Sequence, residues 1–219
     1  MKRFSVVVRI WLLSLAACAV IVAFSFARLD VPLALYFWRL GRSLSPLGQA
    51  FGAAVILSVE ALVILGLILA RLVRGRISPF GEALAIACLT SICAYGINSD
   101  VLKPLFGVPS PIALVRGAPH AFKLLMGSAQ SSFPSGHMVL AGAFAGVLIR
   151  MYRASIAPLS ALLLAAAGLL VIGGWHFLSD VVAGAFLGIS AGMLAGEIWV
   201  VHMGGGPAGS RRQGAGNTD

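Results

Sequence analysis

Four places in this chain carry polar residues that its apolar character does not explain: Lys103, the run Ser131-Ser132-Phe133-Pro134-Ser135-Gly136-His137, His176 and Asp180. His176 and Asp180 stand four apart, the spacing that puts two side chains on one helical face. There Asp180 can accept from one imidazole nitrogen, fix the tautomer and leave the other nitrogen as a nucleophile. The same pair can also be a structural hydrogen bond at a helix end. Ser131, Ser132 and Ser135 are good N-cap residues, and Pro134 suits a first turn. Gly136 lets a ligand approach the backbone. Free N–H groups at such a helix start, with the dipole behind them, bind anions, although a Ser-Pro-Gly stretch can be no more than a helix start. His137, His176 and Asp180 would make a reasonable metal-ligand count. Lys103 and an anion-binding helix start would serve a cation badly, so the expectation is an anion site with no metal and no cofactor.

Composition says which elements must hold these residues. The chain is 59% hydrophobic and 11% charged, with mean hydropathy +0.98, far from a soluble domain. Its net charge of +9 suits Lys and Arg in membrane loops better than nucleic-acid binding, which we do not expect. A span needs about 20 apolar residues. Six runs approach that length: Ile10 to Ala27, Phe51 to Ala70, Ala83 to Ile97, His137 to Ile149, Ile156 to Trp175 and Val181 to Val201. The fold class expected is an all-α polytopic membrane bundle of six transmembrane helices. The first run has signal-like features, with Lys2 and Arg3 before it and Ser25-Phe26-Ala27 at its end, but its length favours an uncleaved anchor. Leu33 to Trp38, followed by Arg39 and Arg42, suits a short interfacial helix. Residues 1–203 form one membrane-embedded domain, and 204–219 a disordered cytoplasmic tail. Cys18, Cys88 and Cys93 show no pairing or metal spacing and are expected as small buried residues. No internal repeat stands out.

An N-terminus in the cytoplasm places Lys2, Arg3, Arg9, Arg71, Arg74, Arg76, Arg150, Arg153, Arg211 and Arg212 inside. Arg28, Arg39, Arg42, Lys103, Arg116 and Lys123 fall outside. The excess favours N-in and C-in. Lys103, Ser135 to His137, His176 and Asp180 then all reach the outer face from separate spans. Glu60 lies mid-span, where a carboxyl is costly unless paired or protonated. It is either a proton or ion pathway or an interhelical hydrogen bond.

The set resembles the type 2 phosphatidic acid phosphatase superfamily, whose pattern is K-x6-R-P, then P-S-G-H, then S-R-x5-H-x3-D. Here the first motif reads Lys103-Pro-Leu-Phe-Gly-Val-Pro-Ser110-Pro111, the second is complete as Pro134-Ser135-Gly136-His137, and the third keeps His176 and Asp180. The resemblance covers roughly residues 30 to 195. It implies a metal-independent lipid-phosphate phosphatase in a bacterial inner membrane, with its site facing the periplasm. His176 would attack phosphorus to form a phosphohistidine, Asp180 would orient it, and His137 would act as general acid. Lys103, Ser135 and Gly136 would hold the phosphoryl oxygens. Substrates implied are lipid phosphates or polyprenyl (pyro)phosphates held in the bilayer.

Two arginines of the pattern are missing. Ser110 replaces one, and the Ser-Arg pair of the third motif falls on Leu169 and Leu170. Arg116 and Lys123, between the first two motifs, are candidate substitute cations. Three rivals follow: a phosphotransferase to a lipid acceptor, a catalytically weak lipid-phosphate binder, and a transporter. The last would need a polar stripe through the membrane, at which only Glu60 hints.

Overall fold

The computed structural model describes residues 2–41 and 46–202, and its regular elements are all helical. Helix α1 (Lys2–Phe24) passes through a π-helical turn (Ser25–Leu29) into α2 (Asp30–Arg39). Helices α3 (Pro46–Arg74) and α4 (Pro79–Ile97) follow, and a second π-helical turn (Asn98–Leu102) leads into the short α5 (Lys103–Phe106). Then come α6 (Pro111–Val115), α7 (Gly136–Met151), α8 (Ile156–Ile172) and α9 (Leu178–His202).

Among the described residues, five segments are long and apolar enough to cross a membrane: Val6–Arg39, Gly52–Arg74, Pro79–Val115, Arg153–Ile172 and Leu178–His202. The shorter Gly136–Met151 is the sixth apolar helix. The molecule is thus a polytopic helical membrane bundle. Large apolar side chains such as Val20, Leu62, Leu164 and Leu194 stand exposed on its flanks, on a scale that a water-soluble surface does not carry. Residues 33–38 are helical as expected, but α2 continues the first helix through its π-helical turn instead of standing apart from it. Cys88 is buried and Cys18 half-buried, whereas Cys93 lies exposed on the flank of α4, against expectation. Arg42, and the tail 204–219 with Arg211 and Arg212, lie outside the described residues.

Local chemistry explains where the helices start. Ser78 caps α4 by accepting from the Gly81 N–H at 3.0 Å, with Pro79 in the first turn. Ser110 caps α6 and Ser135 caps α7 in the same way. Such caps satisfy N–H groups that a helix start leaves without partners.

Helix α7 is the centre of the bundle and packs against α4, α8 and α9. Its closest neighbour is α9, and glycines let the two backbones meet. A Cβ on Gly184 would lie 2.5 Å from the Ser135 carbonyl oxygen, and one on Gly188 2.5 Å from that of Val139. Gly192 and Gly196 continue the row against Ala143 and Val147, and Gly142 and Gly146 of α7 face back toward Ile189. Small residues at every fourth position are a known way for membrane helices to approach closely. Ser135 pairs with Gly184 and Ala143 with Gly192, so α7 and α9 run parallel.

Helix α1 runs antiparallel to α9: Trp11 donates to Ser190 Oγ at 3.2 Å, while Cys18 lies by the Val182 carbonyl. Helix α4 is antiparallel to α7, with Ser91 Oγ donating to the Leu140 carbonyl at 3.0 Å and Asn98 Nδ2 to that of Pro134 at 3.2 Å. At one end of the bundle Arg150 pairs with Glu197. The start of α1 and the end of α9 lie at that same end. The opposite end receives the last turns of α4 and α8 and the first turns of α7 and α9.

Candidate active site

The residues singled out from sequence meet at that second end. His176 and Asp180 are both buried. His176 precedes α9, and the Asp180 carboxylate reaches back from the first turn to accept the Phe177 N–H through Oδ2 at 2.8 Å. His176 Nδ1 lies 3.5 Å from the same oxygen, a long approach for a direct hydrogen bond. Ser132 fills the gap. Its Oγ donates to Asp180 Oδ2 and lies 3.3 Å from His176 Nδ1.

A hydroxyl has one proton to give. If Ser132 gives it to Asp180, its oxygen accepts from Nδ1–H, and the imidazole keeps its lone pair on Nε2. In that arrangement the carboxylate would set the tautomer largely through a serine. Sequence reading took Ser132 only as a helix-cap candidate; no local pattern links it to residues 44 and 48 positions away.

Ser135 begins α7, and its N–H donates to the Asp180 carbonyl at 3.0 Å. The starts of α7 and α9 are tied together by that bond and by Gly184. Gly136 also serves the packing of the bundle. A Cβ there would lie 2.9 Å from the Tyr95 ring of α4, so the missing side chain makes room for a tyrosine. The His137 ring stands 5.7 Å from that of His176, centroid to centroid, and stacks against Trp175 at 5.7 Å. Helix α3 reaches this place too: a Cβ on Gly52 would lie 3.3 Å from His137 Nε2.

Lys103 is buried, with Nζ donating to the Ala129 carbonyl at 3.2 Å, and Asp180 is the carboxylate whose charge acts on it. Asp180 Oδ1 and Asn98 Oδ1 are buried acceptors without a hydrogen-bond partner among the described residues. Among the same residues no group of three or more His, Cys, Asp or Glu could hold a metal ion.

A buried lysine, a capped helix start and an imidazole oriented by a carboxylate thus share one end of one bundle. Comparison with known proteins agrees: the model of the PAP2 superfamily matches residues 83–201. The chain belongs to the PAP2 superfamily. No curated protein and no solved structure matches it.

Within that PAP2 frame, the arginine-replacing residues have other work. Ser110 is the N-cap of α6, accepting from the Ala113 N–H at 3.3 Å. Leu169 is exposed on the flank, while Leu170 is buried in an apolar cluster with Met138, Leu163 and Val181. The backbone of Leu170 still touches the site, since its carbonyl accepts from His176 N at 3.3 Å. Arg116 and Lys123 both carry exposed side chains. Lys123 is tied to the Lys103 helix through its backbone, whose N–H donates to the Phe106 carbonyl at 3.0 Å. Glu60 is buried between α3 and α4 beside Ser91, which fits the interhelical hydrogen bond better than a polar stripe.

Proposed function

We propose that this PAP2 protein is a lipid-phosphate phosphatase working through a phosphohistidine at the periplasmic face of a bacterial inner membrane. The observation that carries the reading is the Ser132-bridged pair of His176 and Asp180 beside Lys103 and the start of α7. His176 Nε2 attacks phosphorus, and the bond to the leaving oxygen breaks as His137 gives that oxygen a proton. Lys103 and the Gly136 N–H stabilise the charge on the phosphoryl oxygens, while Ser135, whose own N–H is taken by the Asp180 carbonyl, holds the helix start in place. Water then attacks the phosphohistidine, releases phosphate and restores the imidazole. The positive charge comes from a lysine and a helix start, so the scheme uses no metal.

An apolar flank around a polar end suits a substrate whose tail stays among lipids while its phosphate reaches the site. Candidates are phosphatidic acid, phosphatidylglycerophosphate, a polyprenyl pyrophosphate or a phosphorylated glycolipid, with water or a lipid hydroxyl as acceptor. The charge excess at the Arg150 end supports N-in and C-in. Residues 1–203 act as one domain. Arg116 or Lys123 takes over part of the work of the missing arginines, Lys123 being the better anchored to α5.

One observation favours a second reading, a weak enzyme that mainly binds lipid phosphate: Leu170 is apolar and buried where a guanidinium would clamp the phosphoryl group. The test is phosphate release from a panel of lipid phosphates by purified protein, and from right-side-out against inverted vesicles. Activity in right-side-out vesicles, a labelled phosphoenzyme in wild type and loss of both in His176→Ala are expected. Tight binding of lipid phosphate without release would select the second reading.

A further inference from the structure

A second buried acid stands behind the nucleophile. Asp30, at the start of α2, is 1% exposed and lies outside the PAP2 match. The Ser179 N–H donates to its Oδ1 at 3.0 Å, and the Ser179 hydroxyl donates to its Oδ2. His120 Nε2 lies 3.4 Å from the same Oδ2, with both side chains buried. The His120 ring stacks on Phe26 at 4.1 Å and meets Phe177 edge-on at 4.5 Å. Ser179 precedes Asp180, and Phe177 follows His176. Asp30, through its bonds to Ser179, and His120, through its ring contact with Phe177, thus hold the segment that carries both proposed catalytic groups. Asp30, His176 and Phe177 also line one narrow crevice with Ala34, Pro111 and Gly174.

A carboxylate removed from water is tolerated when several donors meet it, and those donors then lose their freedom. Here two donors belong to Ser179, in the first turn of α9, whose N–H groups have no helical acceptor of their own. We propose that Asp30 is a positioning residue for His176, acting through Ser179, with His120 packed beside its carboxylate. It brings α1–α2 and the loop between the first two motifs to bear on the nucleophile. The kinetic part of this inference rests on the phosphatase reading; the geometric part does not.

The experiment compares Asp30→Asn, Ser179→Ala, His120→Ala and His120→Gln with wild type in detergent. Three quantities are read: kcat and KM on a lipid phosphate, melting temperature, and the rate at which diethyl pyrocarbonate modifies His176. The exposed His202 serves as the internal control for modification. Asn keeps one acceptor but not the charge, so kcat should fall roughly 10-fold or more with KM little changed, as small misplacements of a reacting group do. His120→Ala should lower kcat, and His120→Gln, which keeps a nitrogen near the carboxylate, should restore most of it. Asp30→Asn combined with Ser179→Ala should be no worse than the more damaging single variant, because both break one contact. His176, now 2% exposed, should react several-fold faster in Asp30→Asn, with His202 unchanged.

Unchanged kcat and unchanged His176 reactivity would overturn the proposal. So would a lower melting temperature alone, with wild-type kcat in the folded fraction. Should Asp30→Asn not fold, Ser179→Ala and His120→Ala carry the same test with the carboxylate in place. If wild type releases no phosphate from any substrate, the modification rates still decide the positioning role, and it is the phosphatase reading that falls.

Discussion

Two buried clusters in this protein use the same three residue types. In one, Ser132 lies between His176 and Asp180; in the other, Ser179 and His120 meet Asp30 separately. Their surroundings differ more than their chemistry. His176 stands by the start of α7, with His137 across from it and Lys103 within reach of the charge on Asp180. His120 is packed against the rings of Phe26 and Phe177. The first cluster has a capped helix start and a buried lysine near it; the second has aromatic rings. An acid, a histidine and a serine thus recur in two settings with different neighbours. The groups around them decide whether a phosphate could enter.

Both clusters depend on the packing of α7 against α9. Gly188→Leu would force a side chain into the Val139 carbonyl, and overpacking of this kind costs about 1–3 kcal/mol or more. We expect a clear drop in melting temperature and loss of activity, read by thermal unfolding in detergent. A normal melting curve would mean that the glycine row is not needed for α7 and α9 to meet.

The next largest effects should separate the clusters. Ser132→Ala removes the bridge and leaves a buried acceptor short of a donor, so kcat should fall about 10- to 100-fold. Asp180→Asn should fall at least as far, since it loses the charge as well. Steady-state rates and the yield of phosphoenzyme check both. If Ser132→Ala keeps full activity, Asp180 reaches His176 without help and the serine relay is wrong. Both variants should exceed His120→Ala, which acts only through position.

The smallest effects sharpen the question of the missing arginines. Arg116→Ala should change kcat/KM by no more than about 2-fold, as a screened surface charge does. Lys123→Ala should cost more, because its backbone is fixed to the Lys103 helix, though less than the roughly 10²-fold typical of a lost transition-state donor. Equal and negligible effects in both would leave the pocket with Lys103 as its one proposed cation and favour the weak-binder reading.

Much of this could be read along the chain. Apolar runs located the five helices long enough to cross a membrane and the shorter α7, although charged and polar ends such as Arg71 and Arg74 of α3 extended them beyond the hydropathy limits. Pro134-Ser135-Gly136-His137 and the His176–Asp180 spacing pointed to the candidate site, because caps and four-residue neighbours are local physics that short segments carry with them. The glycine row from Gly184 to Gly196 was also present as a spacing, but what it does depends on which helix lies opposite. Tertiary structure alone decided that α7 and α9 run parallel in backbone contact, and that Tyr95 takes the space beside Gly136. It also bridged His176 to Asp180 through Ser132, and placed Asp30 behind Ser179 at a separation of 149 residues. Contacts at that range follow from how whole helices pack, and no residue records in its own neighbourhood which distant face it will meet.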